Sequence, residues 1–532
     1  MIRFIGNLMK SVSVERSSSA APNIIMQEQK IQNPTTNQSP SPKRTYPASK
    51  IVGLLLGPAL FILIMLFFSP PGLSYEGKSV IAVTLWVATW WISEAIPIPV
   101  TSLLPILLLP MTGTITSNQV TSSYGNDIIF LFLGGFFLAA ALEKWNLHKR
   151  LALLILTVMG TKTNNLLFGF MFATAFLSMW ISATATAMMM MPMGLALVAQ
   201  LKNVNSVDHE KSDIRKFEKS LLFSICYAAT VGGMATIVGN PPNMVLVAQM
   251  QQFFNIDINF GVWMIFAMPI VILIMFFSWL YLSRFAFPLQ IKSIPGGKDL
   301  ITKEKQQLGK SGREEKIVIA IFLFTAFMWI TRGFIWNTYF PFLTDGMIAI
   351  LATVLLFLIP ASKEKGRRIL EWDDSKNISW GVLLLFGGGL AIASGFQESG
   401  LSEWIGSSFL MMDDMSLWVM ITISIIFVLL LTEITSNTAT ATILLPIMAS
   451  ASIALDFHPF ALMISCVFAA NAAFMLPVAT PPNAIIFSTG KITILDMIKV
   501  GFAMNIFTAV IIIIATLYWL PVVWNIDLII IP

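Results

Sequence analysis

The stretch Ser182-Ala183-Thr184-Ala185-Thr186-Ala187 is a run of small and hydroxylated residues inside a very apolar segment. It returns 254 positions later as Ser436-Asn437-Thr438-Ala439-Thr440-Ala441, and Pro192 and Pro446 close the two copies at the same spacing. A second pair follows at an offset of 240, Gly239-Asn240-Pro241-Pro242-Asn243 and Ala479-Thr480-Pro481-Pro482-Asn483. In a bilayer such residues leave backbone amides and carbonyls without helical partners, which is tolerable only where they line a cavity or bind something. Matched interrupted segments in two halves of an apolar chain point to the binding site of a secondary transporter. The pattern implies a membrane protein that moves a small solute.

Composition narrows the reading. Of 532 residues, 56% are hydrophobic and 11% charged, with a mean hydropathy of +0.78. Soluble domains carry about a quarter charged residues, so a soluble enzyme or binding module is excluded. The apolar runs are ~20 residues long, enough to cross a hydrocarbon core of roughly 30 Å. A net charge of +5 requires no nucleic acid, because membrane orientation accounts for the basic residues. Cys226 and Cys466, again 240 apart, read as small packing residues, as do the 30 methionines. His148, His209 and His458 are scattered at positions read as loops and form no metal or catalytic cluster.

Residues 1–50, with the run Pro34-Thr35-Thr36-Asn37-Gln38-Ser39-Pro40-Ser41-Pro42, cannot bury a core and are expected to form a disordered tail. No long apolar region or small-residue cleavage site follows Met1–Met9, so no cleaved signal peptide is expected. Spans are expected at Ile51–Phe68, Ser79–Ile92, Pro97–Met111, Asp127–Leu142, Lys219–Met250 (broken at Gly239–Asn243) and Phe260–Arg284. After a polar linker, 286–315, come Lys316–Trp336, Pro341–Ile359, Ser379–Ala393, Pro459–Ser488 (broken at Ala479–Asn483) and Met497–Trp524. Asn165–Gln200, broken by Ser182–Thr186, is flanked on both sides by basic residues, so it and its counterpart Leu417–Leu455 read as re-entrant hairpins. The expected fold is an all-α polytopic membrane protein of about 11 transmembrane helices plus two hairpins.

With the N-terminus cytoplasmic, the loops assigned outside contain only Lys78 and Arg332, as the positive-inside rule requires of an inner (plasma) membrane protein. Gly134-Gly135 aligns with Gly388-Gly389 and Leu147 with Leu401, all 254 apart. Five spans and one hairpin make an odd number of crossings, so the two repeats are expected to be inverted.

Sodium prefers oxygen ligands such as backbone carbonyls, hydroxyls and amide oxygens. Helix C-termini add negative dipole ends, whereas N-termini favour carboxylates. Two hairpin tips and two Pro-Pro breaks therefore suit two cation sites around one anion site. No Lys or Arg lies in these segments, so bound cations would neutralise a divalent anion.

Trp90-Trp91-Ile92-Ser93-Glu94-Ala95-Ile96-Pro97, with Val100-Thr101-Ser102-Leu103-Leu104-Pro105, resembles the signature of the divalent anion/sodium symporter family, the sodium-dicarboxylate cotransporters. Ser178-Met179-Trp180 and Thr432-Glu433 before the two tips resemble it too, and the likeness covers about residues 51–525. The resemblance implies a homodimer in which a transport domain moves against a scaffold as an elevator. It implies co-transported sodium, no other cofactor, and a dicarboxylate such as succinate, malate or fumarate, or in some members citrate or sulfate. On that division the scaffold comprises 51–163 and 316–416, and the transport domain 164–285 and 417–532. Carried over, the first cation site would use Ser178, Ser182 and the Gly239 backbone. The second would use Thr432, Thr435, Asn437 and the Ala479 backbone, and the anion would meet Thr184, Asn437, Thr438, Thr480 and Pro481. The chain departs from the family's Ser-Asn-Thr tip at Ala183, and Asn240 replaces a small hydroxylated residue, so Asn240 could restore an amide from the opposite segment.

Glu433, at membrane depth, is either a functional carboxylate or a brace for its hairpin. Glu94 and Glu143 read as interfacial. Three other readings stand beside the symporter: a sulfate or citrate carrier, a dicarboxylate exchanger with altered sodium coupling, and a membrane-embedded enzyme. The last would need paired carboxylates or a nucleophile with its base, a constellation the apolar segments lack.

Overall fold

The computed structural model describes residues 47–204, 208–289, 291, 293–294, 297–362, 366–409 and 415–529. The expected disordered tail lies, up to Tyr46, outside the described residues. The rest of the chain, from Pro47, is one compact unit. Among the described residues it is all helical, with two isolated β-bridges and no strand.

Its principal helices are α1 (Ala48–Phe67), α2 (Tyr75–Ser93), α3 (Leu104–Met111), α4 (Asp127–Lys144), α5 (Leu147–Met159), α6 (Thr163–Ser178), α7 (Ala183–Val204), α8 (Asp208–Gly232), α9 (Pro241–Phe254), α10 (Phe260–Leu280), α11 (Arg313–Thr331), α12 (Asp345–Leu358), α13 (Trp380–Glu398), α14 (Leu401–Phe409), α15 (Leu417–Thr432), α16 (Asn437–Ala454), α17 (Pro459–Asn471), α18 (Pro481–Ser488) and α19 (Ile494–Ile514). Among the described residues, 8 helical segments are long and apolar enough to cross a membrane, and shorter apolar helices accompany them. Starts are set by caps: the Ser74 hydroxyl accepts the Gly77 N–H at 2.9 Å, and Asn126 Oδ1 accepts that of Ile128 at 3.0 Å.

The apolar side chains divide between interior and perimeter. α1 buries only Gly53 and Gly57, while Leu55, Leu66 and Phe67 are exposed, as suits a helix facing hydrocarbon. Trp263, Tyr227, Phe468 and Phe474 are fully buried in a continuous core around α8, α10 and α17. Arg332, one of two basic residues assigned to the outer face, is buried between Asp257 at 3.0 Å and Asp345 at 2.7 Å. Its charge is spent on fixing a helix junction, which explains the exception to the charge bias.

The breaks fall earlier than the polar blocks suggest. The first hairpin is interrupted at Met179–Ser182, and Ala183–Thr186 already form the first turn of α7. The second is interrupted at Glu433–Ser436. Likewise, the Pro-Pro motifs open α9 and α18, and the non-α stretches are Gly233–Asn240 and Ala472–Thr480. Proline needs no N–H donor at a helix's first turn, so it starts the new helix instead of breaking the old one. His148 also lies in a helix, α5, and not in a loop, while His458 caps α17.

Candidate functional site

Each interruption leaves a helix C-terminus facing an N-terminus: α6/α7, α8/α9, α15/α16 and α17/α18. Eight ends without complete backbone pairing are thus placed within the apolar body. The two Pro-Pro breaks are held open by the same device. Asn243 Nδ2 donates to the carbonyls of Gly233 at 3.2 Å and Thr236 at 2.8 Å. Asn483 Nδ2 donates to those of Ala473 at 3.2 Å and Leu476 at 2.9 Å, each acceptor 240 positions on. In both, a buried side-chain amide replaces the carbonyls' missing helical donors.

The breaks are also tied across the two halves. Asn471 Nδ2 of α17 donates to Asn243 Oδ1 at 2.8 Å, and the Cys226 thiol of α8 donates to Asn483 Oδ1 at 2.8 Å. Cys226 is therefore a packing residue with a polar duty.

The hairpin tips are fastened to the breaks by unlike means. In the first, the Ser178 hydroxyl donates to the Ala229 carbonyl of α8, and Thr236 Oγ1 donates to the Met179 carbonyl at 2.6 Å. Gly239 lies so close to the Gly233 backbone that a Cβ on it would overlap the Gly233 carbonyl. In the second, the Thr432 hydroxyl contacts both the Ala470 carbonyl and Asn437 Oδ1 at 2.8 Å. The buried Glu433 carboxylate accepts from the backbone N–H groups of Phe474 (2.8 Å), Met475 (3.0 Å to each oxygen) and Leu476 (3.1 Å), and from Asn505 Nδ2 at 2.8 Å. Of the two roles the sequence left open for Glu433, the structure shows the brace.

The expected site residues are distributed as follows. Ser182 accepts the Ala185 N–H at 3.2 Å and caps α7, and Thr480 accepts the Asn483 N–H at 3.3 Å and caps α18, where Pro481 is exposed. The Thr435 hydroxyl is spent on the Leu431 carbonyl (2.8 Å) and Thr440 (2.6 Å), leaving its own carbonyl as the oxygen it can offer a cation. Among the described residues, the hydroxyls of Thr184 and Thr438 and the Nδ2 of Asn437 have no hydrogen-bond partner, so they can take a ligand. Ala479 is buried, directly before Thr480. At the first tip Ala183 supplies no amide. Asn240 does not replace it in this conformation, since its Nδ2 donates to the Thr230 carbonyl of α8 at 3.2 Å. A cavity of about 360 Å³ adjoins this tip and is lined by Ile181, Ala185 and Thr186 on one side and Glu143, Asn146 and Lys149 on the other.

Sequence reading missed the roles of Asn243, Asn471, Asn483 and Asn505. For Asn243 and Asn483 a signal was available, since both end a repeated Pro-Pro-Asn motif. Asn471 and Asn505 have no counterpart motif, and only the fold brings them to their partners.

Paired interrupted helices with free polar groups, in an all-helical apolar body, define a polytopic membrane transporter. The model of the sodium:sulfate symporter transmembrane region matches residues 48–525, and the chain belongs to that family. The chain is 50% identical over 487 residues to the sodium-dependent dicarboxylate transporter SdcS of Staphylococcus saprophyticus, covering 91% of this chain and 94% of the relative. It is 50% identical over 490 residues to SdcS of Staphylococcus aureus, with coverage of 91% and 94%. Among solved structures, Neisseria gonorrhoeae MtrF aligns with a TM-score of 0.52 at 11% identity, covering 90% of this chain and 96% of that one. Alcanivorax borkumensis YdaH aligns with a TM-score of 0.52 at 10% identity, covering 90% and 99%; both likenesses concern the fold alone. The expected family is thereby shown. The chain is an integral membrane transporter and not an enzyme, and sodium is the co-transported ion of its family.

Proposed function

We propose that this protein is a sodium-coupled symporter of C4-dicarboxylates working by an elevator movement. The observation that carries the reading is that all four interrupted segments form one hydrogen-bonded unit, through Thr236–Met179, Glu433–Phe474, Asn243–Asn471 and Cys226–Asn483. Splitting the unit would expose broken backbone to lipid at several kcal/mol per group, so the segments travel together. The likeness to SdcS supports the dicarboxylate.

One cation binds at Ser178, Ser182 and the Gly239 backbone. A second binds at Thr432, Asn437 and the carbonyls of Thr435 and Ala479. The carboxylates meet Thr184, Asn437, Thr438, Thr480 and Pro481, near the positive ends of α7, α16 and α18. About 11 spans in two inverted repeats, a cytoplasmic N-terminus and a homodimer complete the proposal.

The test is radiolabelled succinate uptake by proteoliposomes in sodium or choline, with excess sulfate as competitor. Sodium-dependent uptake that Asn437→Ala abolishes is expected, because Ala183 leaves Asn437 as the remaining tip amide. Ala183→Asn should raise apparent sodium affinity. Equal uptake in choline, or full activity of Asn437→Ala at normal membrane level, would refute the assignment.

A further inference from the structure

We propose that the cavity between the α4–α5 turn and the first hairpin is a second, one-sided binding station for a carboxylate of the transported anion. It rests on the dicarboxylate reading above and adds a site outside the central one. The cavity holds about 360 Å³, several times the bulk of a small dicarboxylate.

Three independent features face it. The chain enters α5 through Asn146 in the left-handed region at φ 55°, and the Arg150 N–H closes the first helical bond on the Asn146 carbonyl at 3.2 Å. The N–H groups of the first turn are thereby left without intrahelical acceptors, the arrangement that attracts anions. Lys149, in that turn, is exposed and has no ion pair among the described residues. Across the cavity, Thr186 of α7 is 2% exposed, and its hydroxyl has no hydrogen-bond partner among the described residues. A buried hydroxyl left unpaired is a standing cost that a ligand oxygen would remove.

The other rim carries Glu143, exposed and without an ion pair among the described residues, whose charge opposes a dianion. The station therefore holds its guest loosely and passes it on. His148 also lines the cavity, with its Nδ1 engaged by the Leu142 carbonyl at 3.0 Å.

The repeat gives an internal comparison. At an offset of 254, Asn146 becomes Gly400, also in the left-handed region at φ 70°, so the turn itself is kept. Lys149 becomes Glu403, and Thr186 becomes Thr440, whose hydroxyl is already paired with Thr435 at 2.6 Å. The backbone device occurs twice, whereas its anion-attracting chemistry occurs once. In the orientation proposed above, the station opens to the cytoplasm.

The test compares half-saturating succinate concentrations at the two faces, using right-side-out and inside-out vesicles containing the full-length protein. Lys149→Gln and Thr186→Val should raise that concentration about three- to fivefold at one face only, the range of an exposed charge contact. Glu143→Gln should lower it at the same face, and Lys149→Arg should behave as wild type. An effect at the external face would support the station while reversing the proposed orientation. Equal changes at both faces, no change, or a Lys149→Arg variant as impaired as Lys149→Gln would overturn the station. Failure of the wild type to transport succinate would instead overturn the dicarboxylate reading, and the station as a dicarboxylate site with it.

Discussion

Replacing Glu433 tests the proposition that the second hairpin is held to its break by one carboxylate. Four donors converge on it: the N–H groups of Phe474, Met475 and Leu476 and the Asn505 amide. Glu433→Ala removes every acceptor at once. A buried donor stripped of its partner costs about 1–3 kcal/mol, so even at the lower bound the four together lose about 4 kcal/mol. That approaches the whole stability of many folded domains, about 5–15 kcal/mol. Glu433→Gln is milder. Its amide oxygen can keep the Phe474, Met475 and Asn505 bonds, while its NH₂ faces the Leu476 N–H and cannot accept from it. The expected loss is one charge-assisted bond, about 1.5–3 kcal/mol. Purified variants should therefore unfold at lower temperature in the order wild type, Gln, Ala. Succinate uptake corrected for membrane level should be partial in Gln and absent in Ala. An alanine variant with wild-type uptake and wild-type thermal unfolding would refute the brace.

Two further perturbations follow from the geometry. Gly239→Ala would drive a Cβ into the Gly233 carbonyl, backbone that cannot swing away, whereas Ala479→Gly only removes a methyl at the equivalent position. Overpacking of this kind costs about 1–3 kcal/mol, so sodium-dependent uptake should collapse in the first variant and persist in the second. His458 caps α17 by accepting the Phe460 N–H on Nδ1 at 3.3 Å, and burial pushes its pKa from the ordinary 6.5 down to about 4. Between those values the unfolded chain holds more protons than the folded one, so this residue's contribution to stability falls as pH drops from 6.5 to 4. Melting curves at pH 7 and pH 5 should converge in His458→Asn, which retains a capping oxygen; an unchanged pH slope would count against it.

The architecture was legible because hydrocarbon permits few alternatives. A polar block in a 20-residue apolar run must line something, and two such blocks at one offset mark a repeat. The positions of the interruptions were less legible. Ala472-Ala473-Phe474-Met475 is apolar and reads as helix, yet it lies outside α17 because Asn483 and Glu433 take over its carbonyls and amides from a distance. The Glu433 contact joins residues 41 positions apart and no local pattern encodes it, whereas Asn483, 10 positions from Ala473, at least ends a repeated motif. For the same reason, neither Asn471 nor Asn505 could be singled out among apolar neighbours.

The repeat also separates what geometry demands from what chemistry demands. The Asn243 and Asn483 brackets are the same in both halves, since either Pro-Pro break needs its upstream carbonyls satisfied whatever is transported. The residues that touch tips and entrances are not the same. Met179 stands where the second half has Glu433, Ala183 where it has Asn437, and Lys149 where it has Glu403. Each substitution leaves the backbone arrangement intact and changes only charge or hydrogen-bonding capacity. Under the proposed elevator movement one site is presented to two compartments of different composition, a task that equal backbones with unequal polar groups would suit. The first hairpin, tied to its break by the Thr236 and Ser178 hydroxyls where the second is tied by a carboxylate with four donors, has the weaker anchorage. If one tip yields to admit or release cargo, the difference in hydrogen bonding selects the first, on the side where the cavity and Lys149 also lie.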